Sequence, residues 1–114
     1  MRRGEVWTAS GGPDYAGKPR PVAIVQSDDF EYSSSITVCG FTTSDADVVL
    51  TRLLVEPTEL NGLRSPSRLM IDKMTTLPKS KMGARIGRLS DEDVLRLDRA
   101  LLVFLGLARG RRTG

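Results

Sequence analysis

Residues 21–27 read Pro21-Val22-Ala23-Ile24-Val25-Gln26-Ser27, and residues 36–43 read Ile36-Thr37-Val38-Cys39-Gly40-Phe41-Thr42-Thr43. Both runs are rich in β-branched residues and mostly apolar, the pattern of strands covered on both faces. They are expected at the centre of a sheet. Upstream, Glu5-Val6-Trp7-Thr8-Ala9 alternates as a short strand and stops at the turn formers Ser10-Gly11-Gly12-Pro13. Downstream, residues 48–56, 67–74 and 84–89 read as further strands, the second alternating around Leu69 and Ile71. The total is about six strands.

One helix is expected, starting at Ser90-Asp91-Glu92-Asp93. The serine offers a side-chain acceptor to orphan N–H groups, and the carboxylates suit the positive end of the helix dipole. Val94, Leu97, Leu101 and Leu105 then recur three or four apart, with Arg96, Asp98 and Arg99 between them. Leu95, Leu102 and Phe104 widen the apolar face, which either joins the intramolecular core or meets a second subunit. Short helical turns are expected over residues 28–32 and 79–81. The order predicts a mainly β chain of the α+β class: a small SH3-like barrel, open or closed, with a C-terminal helix.

A chain of 114 residues suits one domain, read as residues 1–108, followed by a flexible basic tail over 109–114. A single cysteine, Cys39, excludes an intrachain disulfide and fits a reducing compartment. The opening Met1-Arg2-Arg3-Gly4 lacks an apolar signal core, and no run approaches the length of a membrane span. A cytoplasmic location is expected. Lys and Arg exceed Asp and Glu by 17 to 14, and Arg109, Arg111 and Arg112 of the tail account for the excess. Nucleic acid and an acidic protein tail are both permitted partners.

Composition also limits the chemistry. With no histidine, imidazole acid–base pairs, His-ligated zinc and a Ser-His-Asp triad are excluded. There is no phosphate-loop or dinucleotide fingerprint, so no cofactor is expected. Asp45, Asp47 and Asp72 could meet at a magnesium site, a combination that also arises commonly by chance.

Two local features remain. In Lys18-Pro19-Arg20-Pro21, Pro21 restricts Arg20 to extended backbone while Pro19 fixes the chain upstream. The guanidinium so presented suits forked contacts with phosphate, or a surface ion pair. In Phe41-Thr42-Thr43-Ser44, apolar residues give way to three hydroxyls at a strand end. These could hold phosphate oxygens or cap the following loop.

Taken in order, Arg3-Gly4-Glu5-Val6-Trp7, Arg20-Pro21-Val22, Thr42-Thr43-Ser44, the run from Ser67 through Asp72-Lys73 to Thr76-Leu77, and Arg85-Ile86-Gly87-Arg88-Leu89-Ser90 resemble the MazF/PemK toxins over nearly the whole chain. The resemblance implies a metal-independent, sequence-selective endoribonuclease toxin that cleaves single-stranded mRNA to 2′,3′-cyclic phosphate and 5′-hydroxyl ends. It places Arg20 and Thr42 at the catalytic positions. Tyr15, Lys18, Ser27, Thr43, Ser44, Asp72 and Lys73 are the candidate substrate-binding residues, Tyr15 in the long loop over residues 10–19 being either a stacking platform or an anchor of the loop on the barrel, and Lys73 either a phosphate-binding point charge or a solvated side chain. Lys73 stands where the family usually has Gln, and Met70 where some members have an arginine. The implied partners are a second copy of the chain, single-stranded RNA and a MazE-like antitoxin. Two alternatives stay open: a CcdB-like gyrase-binding toxin, whose branch lacks the Arg-Pro-Val run, and a non-catalytic RNA-binding barrel.

Overall fold

The computed structural model describes residues 1–10, 18–45 and 51–108. Its strands are β1 (Glu5–Ala9), β2 (Arg20–Ile24), β3 (Ser35–Thr42), β4 (Arg52–Val55), β5 (Ser67–Met70), β6 (Thr75–Pro78) and β7 (Met82–Arg88), followed by helix α1 (Asp91–Phe104). They form one antiparallel sheet in the order β4-β5-β3-β2-β1-β7, with β6 pairing β3 beyond the end of β5. Irregular register between β1 and β7, at Val6/Trp7 and Trp7/Ala9, curls that side of the sheet. Among the described residues β4 and β7 do not pair, so the barrel-like sheet stays open.

The apolar character of β2 and β3 follows from two cores, one on each face. Val6, Ala23, Cys39, Phe41 and Leu69 pack on the α1 side with Leu97. Ala9, Val22, Ile24, Ile36 and Val38 pack on the other side, joined by Trp7, Leu77 and Met82. The opening run serves this assembly: the Arg3 guanidinium donates to the Val25 carbonyl at 2.8 Å and pairs with Asp98 of α1 at 2.8 Å. It ties the sheet to the helix.

Among the described residues seven strands appear where six were expected: the run over residues 67–74 stops at Met70, and a strand the sequence did not suggest, Thr75–Pro78, follows it. At Ile71–Lys73 the chain makes a 3₁₀ turn that carries Ile71 fully into the core, its N–H donating to the Thr51 carbonyl. Pairing with β3 resumes at Thr75 opposite Val38. Alternation of Leu69 and Ile71 suits both arrangements, since each puts the two side chains in the interior. The short turns fall at Asp28–Phe30 and Lys79–Lys81.

Helix α1 begins as its sequence requires, with the Ser90 hydroxyl accepting from the Asp93 N–H at 3.1 Å. Its end is also specified locally: Gly106 takes φ +75°, and Gly106 and Leu107 N–H groups donate to the Val103 and Leu102 carbonyls. Leu97 is fully buried, and Val94 and Leu101 pack at the edge of its cluster. Leu95, Leu102, Phe104 and Leu105 remain exposed, in contrast to an entirely intramolecular stripe. The helix contacts β4 and the turn at Ile71–Lys73, so most of its last apolar side chains lie beyond the core.

Candidate functional site

Arg20 is the first residue of β2 and lies opposite Ala9 of β1. In the β2–β3 ladder Val22 faces Gly40, and extending that register by two residues sets Arg20 opposite Thr42. On the other side of β3, Thr42 faces Arg68 of β5. Directly opposed residues in antiparallel strands share a face. Arg20, Thr42 and Arg68 therefore form one row across three strands, on the face turned away from α1, where Val22 and Val38 pack.

The Thr42 hydroxyl oxygen accepts the Ser44 N–H at 3.2 Å. That contact uses a lone pair and leaves the hydroxyl proton available to donate. Arg20 is exposed and Arg68 half-buried, and among the described residues neither has a carboxylate partner. Lys18, Thr43 and Ser44 are exposed around the same sheet end. A forked cation beside a hydroxyl donor can accept a phosphodiester.

One row along, Arg52 faces Met70 on the same side of the sheet. Its guanidinium grips Asp72 through two bonds, Nε to Oδ1 at 2.6 Å and Nη2 to Oδ2 at 3.0 Å. The Arg52 guanidinium beside it holds the Asp72 carboxyl below the ordinary carboxylate range, against a smaller upward push from burial. Asp72 thus has a structural partner, while the neighbouring Lys73 is exposed. Beneath the turn, burial pushes the Cys39 thiol up to about 12, helped by the Asp72 charge, which keeps the sulfur out of any nucleophilic role at neutral pH.

Ser27 is not brought to this row. It lies past the opposite end of β2, where its hydroxyl accepts from the Asp29 N–H at 3.2 Å and caps the turn at Asp28–Phe30. Tyr15 and Asp47 lie outside the described residues. Among the described residues no group of three or more His, Cys, Asp or Glu converges as a metal-binding set. Arg68 and Arg52 were missed in the sequence because nothing local distinguishes them from ordinary strand arginines; only the pairing of β5 with β3 and β4 reveals their place.

Among the described residues this is an open antiparallel sheet with one C-terminal α-helix, an architecture shared with a toxin of known structure, and the family model that matches the chain is one of toxins from type II toxin–antitoxin systems. The chain belongs to the PemK-like, MazF-like toxin family, which it matches over residues 2–105. It is 55% identical over 108 residues to the probable endoribonuclease MazF of Mycolicibacterium smegmatis, covering 95% of this chain and 99% of the relative. The structure of the Mycobacterium tuberculosis toxin MazF-mt6 matches with a TM-score of 0.77 at 27% identity, covering 91% of this chain and 98% of that one. An endoribonuclease from a mycobacterial species, solved in complex with its cognate antitoxin, shares the fold with a TM-score of 0.79 at 21% identity, covering 95% and 97%.

Proposed function

We propose that this chain is a metal-independent, sequence-selective endoribonuclease toxin that cleaves single-stranded mRNA and so inhibits translation. The observation that carries the reading is that Arg20, with no carboxylate partner among the described residues, falls on the same sheet face as Thr42, two residues beyond the paired Val22 and Gly40 of the adjoining strands. Family membership and the activity named for the 55% identical relative support it.

In the proposed reaction the ribose 2′-oxygen bonds to the adjacent phosphorus and the bond from phosphorus to the 5′-oxygen breaks. The 2′-hydroxyl gives up a proton and the departing 5′-oxygen takes one up. The products are a 2′,3′-cyclic phosphate and a 5′-hydroxyl. Arg20 stabilises charge developing on the non-bridging oxygens, and Thr42 donates a hydrogen bond to one of them. Both act as preorganised electrostatic groups, the kind of contact whose loss typically costs about 10²–10³ in rate.

The toxin is proposed to act in the cytoplasm as a homodimer, restrained by a MazE-like antitoxin. The exposed apolar end of α1, with Leu102, Val103, Phe104, Leu105 and Leu107, supports pairing with a second copy. Antitoxin binding is supported by the mycobacterial endoribonuclease solved with its own antitoxin. Sedimentation at micromolar concentration is expected to give a dimer; a monomer would remove that part of the proposal.

Purified protein is incubated with a long single-stranded RNA in EDTA beside folded Arg20→Ala and Thr42→Ala variants, and the product ends are mapped. Cuts at a short recurring motif with 2′,3′-cyclic phosphate and 5′-hydroxyl ends, lost in both variants, are the expected result. Intact RNA with the wild-type protein would overturn the nuclease reading and direct attention to gyrase trapping or to simple RNA binding.

A further inference from the structure

Most of the arginines in the described body are neutralised in pairs. Arg2 meets Asp28 at 3.3 Å, Arg3 meets Asp98 at 2.8 Å, Arg52 meets Asp72 at 2.6 Å and Arg96 meets Asp93 at 2.8 Å. Arg85 and Arg88 lie beside Glu5 and Asp91. Arg68 differs: it is half-buried in a paired strand and has no side-chain partner among the described residues. Burial of the stem within a paired strand limits where the guanidinium can reach, and no carboxylate among the described residues occupies it. It is left available to an incoming anion.

The position of Arg68 is also well fixed. Its strand is clamped between β3 and β4, with Leu69 fully in the core next to it. The connection that delivers β5 is held by buried Asn61, whose side chain donates to the Glu56 carbonyl at 2.8 Å and accepts from the Thr58 and Leu63 N–H groups. Arg68 faces Thr42 directly and stands two strands from Arg20, a separation of about 10 Å at the usual strand spacing. Arg20 and Thr42 can share one phosphate. Arg68 is far enough away across the sheet to take another.

We propose that Arg68 is a substrate-binding residue that holds a backbone phosphate next to the one being cleaved, so that the RNA crosses the sheet from β2 toward β5. The inference rests on the nuclease reading above. A phosphate contact is blind to base identity, so Arg68 contributes affinity and orientation across sequences without setting the cleavage motif.

The test uses wild-type protein, Arg68→Gln, Arg68→Lys and, as a control, Arg99→Ala, which removes an exposed charge from α1. Binding of a 2′-O-methyl RNA oligonucleotide carrying the mapped cleavage motif is followed by fluorescence anisotropy across a salt series. Cleavage of the unmodified RNA is measured alongside, and thermal melts verify folding. For Arg68→Gln, the slope of log affinity against log salt should become shallower by about 0.7, one phosphate contact on a single strand. KM should rise several-fold with kcat within about twofold of wild type, the signature of a lost uniform-binding contact. Arg68→Lys should restore most of the slope, and Arg99→Ala should leave it unchanged.

Wild-type cleavage together with unchanged slope and KM in Arg68→Gln would overturn this assignment and leave the nuclease reading standing. A slope change matched by Arg99→Ala would overturn it equally, by reducing the effect to general charge. RNA left intact by the wild-type protein would remove the nuclease reading and this inference together.

Discussion

Arg52 on β4 and Asp72 in the turn Ile71–Lys73 are joined by two parallel hydrogen bonds of 2.6 and 3.0 Å. The pair bridges the outer strand of the sheet to the point where the run after β5 breaks away. Removing the cation with Arg52→Ala is expected to lower stability by about 1–2 kcal/mol, between the value of an exposed ion pair and that of a hydrogen bond to a buried charge. The folded-state pKa of Asp72 is depressed, so its contribution is present above the unfolded carboxylate range and disappears as pH falls through the folded value. Urea midpoints should therefore separate wild type from Arg52→Ala at neutral pH and converge in strong acid. A gap that persists undiminished in acid would assign the loss to packing around Arg52.

At Thr42 the hydroxyl has an acceptor duty toward the Ser44 N–H and a free proton. Thr42→Ser retains both features and is expected to keep kcat within about tenfold, whereas Thr42→Val, of similar shape, should lose about 10²-fold or more. Single-turnover cleavage at saturating protein distinguishes them. Equal activity in the two variants would show that the hydroxyl contributes nothing to the chemical step.

Along α1, burial separates the leucines into two groups. Leu97 is fully buried and Leu105 is half exposed. Leu97→Ala should cost about 2–5 kcal/mol in chemical denaturation. Leu105→Ser should leave the unfolding of a dilute sample nearly unchanged and instead weaken self-association in sedimentation. Ser90→Ala, which removes the acceptor for the Asp93 N–H, should cost about 1 kcal/mol.

Cys39 offers a simple probe of integrity. The thiol is fully buried and its pKa is pushed up to about 12, so a maleimide at about pH 8 should leave the native protein unmodified and label it completely in denaturant. Rapid labelling of native protein, measured by mass spectrometry, would reveal opening between β2 and β3 that the closed ladder does not allow.

Much of the fold can be read from short windows. Ser90 with three following carboxylates marks the start of α1 to the residue, and the β-branched runs identify β2 and β3 because two cores cover both of their faces. The 3₁₀ turn at Ile71–Lys73 is not legible in the same way. Ile71 is apolar and falls on the alternation of a strand, and the turn forms because pairing to β3 and the Thr51 carbonyl is better satisfied with the chain pulled inward. For the candidate site, the proline-flanked Arg20 and the hydroxyl run at Thr42 stand out in sequence, whereas Ser27 turns out to be a cap remote from them.

By itself, the sequence determined most of the secondary structure, the family and the chemical types available for phosphate binding. These depend on side-chain periodicity, end caps and residue identity, which act over a few neighbours. Only the tertiary structure decided that Arg20, Thr42 and Arg68 share a row and that Asp72 belongs to Arg52. The reason is strand register: residues twenty or more positions apart become neighbours through ladders whose alignment is set by burying both faces of the sheet together, and no local pattern encodes which arginine will meet a carboxylate and which will not.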